Sequence, residues 1–144
     1  MAQREKAEEE LRRLSMEMRY LEQTADALQQ RISMVNAALT DINYANMTLD
    51  GMEKEKENSE MLIPIGGSSY VKVKLADTNK VIIGMGSGVS VEKTLPEAKA
   101  TLKERLDELE KTMHAAQQQF SQVAERINSG RSRLESMLSR EGKQ

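Results

Sequence analysis

Apolar residues recur along the first third of the chain at Leu11, Leu14, Met18, Leu21, Ala25, Leu28, Ile32, Val35, Leu39, Ile42 and Leu49, with Asn46 the one clearly polar member. Steps that alternate between three and four keep one face of a helix apolar over successive turns, which is the heptad pattern of a coiled coil. Leu11 opens on a step of three and takes an a position, and Asn46 also falls at a, where a buried amide fixes register at some cost in stability. Residues 5–57 contain no proline and one glycine, Gly51, so the spacing predicts a single helix of about 80 Å that frays near Asn58. The last third repeats the pattern with Leu102, Leu106, Leu109, Met113, Ala116, Phe120, Val123, Ile127, Gly130, Leu134 and Met137. Thr94-Leu95-Pro96-Glu97 marks its start as a capping box, with proline harmless in a first turn, and the helix is expected from 95 to about 140.

Between the helices the period changes from seven to two. Residues 61–65 form a short apolar run closed by Gly66-Gly67, and residues 69–75 alternate with Val71, Val73 and Leu75 on one face. Residues 76–79 have turn chemistry, and 80–85 and 88–93 complete four short strands, hence two hairpins. Pro64 cannot donate to a ladder and belongs at an edge. Four short strands cannot build an independent sheet with a covered apolar face, and their open edges invite pairing with another chain. The expected organisation is therefore a helix over 1–57, two hairpins over 58–94 serving as an assembly element, and a helix over 95–144. The fold class is mainly α with a small β element: a long antiparallel two-helix coiled coil whose central hairpins join those of other subunits in a β-barrel. Side-chain size suggests the register of the two helices. Met18 facing Gly130, Leu28 facing Phe120 and Ala25 facing Val123 set small against large, whereas a heptad shift sets Ala25 against Gly130 and leaves a void.

Composition narrows the function. Only 38% of the 144 residues are hydrophobic and 3% aromatic, too little for a conventional globular core, while 31% are charged with both signs interspersed and a net charge of -2. A nucleic-acid coat is not expected from that balance, nor a membrane partner, since no run approaches the ~20 apolar residues of a span. The absence of cysteine removes disulfides and thiolate chemistry, and fits a reducing, cytoplasmic setting. Gly84-Met85-Gly86-Ser87-Gly88 lies between strands and lacks the Lys-Ser or Lys-Thr of a phosphate loop, so it reads as a turn. His114, the sole histidine, falls on an outer helix face with no second histidine to share a metal, and the carboxylates recur among lysines and arginines as solvated charge. No catalytic, cofactor or metal constellation is expected.

The segment Pro64-Ile65-Gly66-Gly67-Ser68-Ser69-Tyr70-Val71-Lys72-Val73-Lys74-Leu75, continued by residues 80–94, closely resembles the alpha class of the archaeal prefoldin family. The architecture agrees over the whole chain, while the specific motif match lies in the hairpins. The resemblance implies an ATP-independent hexameric holdase of two alpha and four beta subunits, whose hanging coiled coils hold unfolded polypeptide at their tips and pass it to a group II chaperonin. Carried onto this sequence, assembly falls on Ile63, Ile65, Tyr70, Val71, Val73, Leu75, Val81, Ile83, Val89 and Val91. Client binding is carried over by location at the open end, where Leu11, Leu14, Leu134 and Met137 belong to the seam and Met16, Tyr20 and Leu138 lie off it; flexible, polarizable methionine suits varied partners. The alternative is a coiled-coil scaffold or tether that binds no client.

Overall fold

The computed structural model describes residues 1–142. Lys143 and Gln144, the end of the expected C-terminal segment, lie outside the described residues. In chain order the elements are α1 (Ala2–Glu53), β1 (Glu60–Gly66), β2 (Ser69–Lys74), β3 (Lys80–Gly86), β4 (Val89–Thr94) and α2 (Leu95–Gly142). The chain divides into two compact units, one of residues 38–109 and one of residues 1–37 with the chain from 110 onward.

In the second of these, the arm unit, the apolar stripes of α1 and α2 meet. Met18, Leu21, Val35 and Ala116 are buried there. A Cβ built on Gly130 would collide with the Met18 sulfur, so the structure sets the smallest residue of one seam against a long, flexible one of the other, as size matching suggests.

The other unit holds the hairpins and the adjoining ends of both helices. α1 stops at Glu53, four residues before the sequence pattern ends. The exit is made by short-range bonds, Lys54 N to Gly51 O and Glu55 N to Met52 O, which tighten the last turn. Asn58 then takes a left-handed conformation (φ 66°) and its N–H bonds Leu75 O at 2.8 Å, tying the exit to the far end of the first hairpin. α2 starts where the capping signal predicts, with Glu97 N donating to Thr94 Oγ1 at 3.3 Å.

The strands form two separate two-stranded antiparallel sheets, β1–β2 and β3–β4. They are copies of one design displaced by twenty residues, since β1 begins at 60 and β3 at 80, β2 at 69 and β4 at 89. Ile63 pairs with Val71, and at the equivalent place Ile83 pairs with Val91. Each first strand has an extra residue before its turn, Ile65 or Met85, where the register shifts. Each turn is a two-residue loop with positive φ at both positions, Gly67 (57°) and Ser68 (59°) in one, Ser87 (54°) and Gly88 (77°) in the other. That geometry is the type I′ turn, whose twist matches that of the flanking strands. Even the closing bonds repeat, with Leu75 N to Ser59 O at 2.9 Å and Leu95 N to Asn79 O at 2.8 Å.

Candidate functional site

Despite their common backbone, the hairpins differ in what their own chain does with them. The second is anchored. Ile83 is 7% exposed within a cluster of Leu49, Met52, Leu95, Ala98 and Leu102, and Val81 and Leu75 pack against the same cluster. Lys93 Nζ donates to Thr101 Oγ1 at 3.1 Å, and Arg105 Nη2 donates to the Gly84 carbonyl at 2.7 Å beside the bulge. Below this, Lys99 Nζ bridges Asp50 Oδ1 (2.8 Å) and Glu53 Oε1 (2.6 Å), locking the start of α2 to the end of α1. The side-chain hydrogen bond to Asp50, then that to Glu53, holds the Lys99 ammonium above its ordinary pKa.

The first hairpin projects its apolar residues into solvent. Ile63, the counterpart of Ile83, is 46% exposed, and Leu62, Ile65, Tyr70 and Val71 are exposed as well. Of the ten expected assembly residues, Ile63, Ile65, Tyr70, Val71, Val89 and Val91 lie open, and Val73 is half-buried. Leu75, Val81 and Ile83 are turned toward the helices of their own chain. Ile82 and Met85 are also exposed and fall outside the alternating set, since one lies on the opposite face of β3 and the other in its bulge. So much bare apolar surface on two thin sheets is unusual for a self-contained domain.

The expected client residues divide by heptad position. Leu11, Leu14, Leu134 and Met137, on the seam, are half-buried. Met16, Tyr20 and Leu138, off the seam, are exposed. His114 is exposed, and among the described residues no cluster of histidine, cysteine, aspartate and glutamate could hold a metal ion. The glycines of residues 84–88 serve the turn, with positive φ at Gly86 (97°) and Gly88. An open groove of about 660 Å³ beside the second hairpin is lined by apolar residues of the anchoring cluster and by Arg105 and Glu92. Among the described residues no helix is long and apolar enough to cross a membrane.

Comparison with known proteins agrees with this arrangement. The family model for prefoldin subunits matches residues 21–139. The prefoldin alpha subunit of Methanococcoides burtonii is 31% identical over 87% of this chain and 91% of its own length. That of Pyrococcus horikoshii is 34% identical over 88% of this chain and 84% of its own length. Among solved structures, the filamentous prefoldin of Methanocaldococcus jannaschii superposes with a TM-score of 0.66 at 20% identity, covering 78% of this chain and 93% of that one. The prefoldin beta subunit of Thermococcus strain KS-1 gives a TM-score of 0.59 at 18% identity, over 88% and 90% of the two chains. Helices, paired hairpins and these relationships together place the chain in the prefoldin family, whose members are chaperone subunits and not enzymes.

Proposed function

We propose that this chain is the alpha-type subunit of a cytoplasmic, ATP-independent holding chaperone, a hexamer of two alpha and four beta subunits. It captures unfolded polypeptides at the open ends of its helices, keeps them from aggregating and hands them to a group II chaperonin. One observation carries the assembly half of this reading: the first hairpin bares Ile63, Ile65, Tyr70 and Val71 although a two-stranded sheet is marginal by itself. Pairing with strands of other subunits would satisfy the free edges and cover those faces together. The holding half draws support from the helix ends, where half-buried Leu11, Leu14, Leu134 and Met137 sit beside exposed Met16, Tyr20 and Leu138.

Two measurements test the halves separately. Mixing the chain with a beta-class subunit should convert it to a particle with the mass of a hexamer; a chain that stays monomeric in the mixture defeats the assembly claim. Polar replacement of Leu11, Leu14 and Leu138 together should abolish protection of an unfolded client while leaving that particle intact. Unchanged protection would reject the tips as the binding site, and no protection by the unaltered particle would leave a scaffold.

A further inference from the structure

The seams of the two helices are alike, but their outer faces are not. Residues 32–49 of α1 contain one charged residue, Asp41, whereas the equally long stretch 99–116 of α2 contains eight. If the outer faces only had to meet water, both helices would be charged there to a similar degree. α1 instead leaves Met34 (74%), Tyr44 (72%) and Met47 (70%) open, at heptad positions pointing away from the seam. On α2 the only large apolar side chain exposed to that class, among the described residues, is Leu138.

Local hydrogen bonding makes this face still less polar. Thr48 Oγ1 donates to the Tyr44 carbonyl at 3.0 Å, and Thr24 Oγ1 donates to the Tyr20 carbonyl at 2.9 Å. In each pair the threonine hydroxyl donates to its own backbone, which leaves one donor fewer for a partner on this face.

These features select among occupants. Tyr44 and Met47, within one turn of each other, offer on the order of 300 Å² together, and Met34 stands alone. A stable folded partner needs about 800 Å² on each side, with a hydrogen bond for every 100–200 Å² or so. Neither cluster supplies that area, and the charges one turn away, Arg31 beside Met34 and Asp41 and Asp50 beside Tyr44 and Met47, are single groups and form no array for a specific partner to complement. Short apolar stretches of an extended chain ask for no more than small, adaptable, non-directional contacts. We propose that the outer face of α1, at Met34 in the arm unit and independently at Tyr44 and Met47 in the hairpin unit, binds extended unfolded polypeptide in addition to the helix ends. This rests on the holding-chaperone reading above.

The test uses the complex assembled with a beta-class subunit and reduced, unfolded lysozyme as probe. A photoreactive residue placed at Met34 or at Tyr44 should cross-link to lysozyme, and one at Gln118 on the exposed side of α2 should not. The triple variant Met34→Glu, Tyr44→Glu, Met47→Glu should keep the particle mass and raise the amount of complex needed for half-suppression of aggregation about five-fold. Equal cross-linking from Gln118, cross-linking of Met34 and Tyr44 to a neighbouring subunit in place of lysozyme, or a triple variant as protective as the active parent each overturns the proposal. A parent particle that does not suppress aggregation at all removes the holding reading itself, and this proposal with it.

Discussion

Replacing Ile83 and Ile63 by alanine, one at a time, turns the twenty-residue repeat into an internal control. The two isoleucines occupy the same place in the same hairpin, each opposite a valine, but one is 7% exposed and the other 46%. Isoleucine to alanine removes three carbons, worth ~0.8 kcal/mol each when fully buried. At Ile83 nearly all of that is lost and a cavity is left in the anchoring cluster, so the chain should lose about 2.5–4 kcal/mol. At Ile63 roughly half the area is in water already and no closed cavity forms, so the cost to the chain alone should be about 1 kcal/mol. Urea unfolding followed by helical circular dichroism reads both values, and the mass of the particle formed with a beta-class subunit reads assembly. Ile63→Ala should weaken the particle more than it weakens the chain, and Ile83→Ala should do the reverse. Equal losses of chain stability at the two positions would refute the assignment of Ile83 to the chain's own core and of Ile63 to its partners.

Three further outcomes follow from the helices. Gly130→Leu should lower stability by about 1–3 kcal/mol by overpacking against Met18, and Met18→Ala in the same chain should restore part of it; additive losses in the double-mutant cycle would show that the two positions do not meet. Because the folded pKa of Lys99 is raised above 10.5, its ion pairs contribute fully at neutral pH and are lost as pH climbs past 10.5 and through the raised value. The stability gap between the parent and Lys99→Met should therefore close in alkaline solution, and a gap that persists there would exclude charge as its source. Thr94→Ala should cost about 1 kcal/mol through loss of the bond to Glu97 N, with Thr94→Ser recovering most of it in the same unfolding assay.

Much of this fold is legible because its elements repeat with different periods. The unbroken three-four spacing from Leu11 to Leu49 announces α1, and Thr94-Leu95-Pro96-Glu97 places the start of α2 at the observed residue. The end of α1 is less legible. The sequence continues through helix-compatible lysines and glutamates, yet the helix closes on the short-range bonds to Gly51 and Met52, and Asn58 then bonds to Leu75, a contact no local pattern records. Met52 and Ala98 extend the core past the seam as read from spacing, since they are buried against the hairpin and not only against the other helix. Alternation in Val71, Val73 and Leu75 identifies an apolar face but is silent on what covers it. Burial resolves that question in opposite directions for Leu75 and Val71. The twenty-residue repeat escapes a reading by identity because its halves share backbone more than side chains, with Pro64 answering to Gly84 and Lys72 to Glu92.

Two grips cut to one template pose a problem of choice, because any strand able to mate with the backbone of one is offered the same pitch and curvature by its twin. Discrimination then falls to the substituents. Where the first grip displays Lys72 the second displays Glu92, and where the first has Val73 the second has Lys93. With two lysines and one glutamate on each, the frames carry the same net charge and differ only in its placement, so a strand laid beside one meets a different order of side chains from a strand laid beside the other without any change of form.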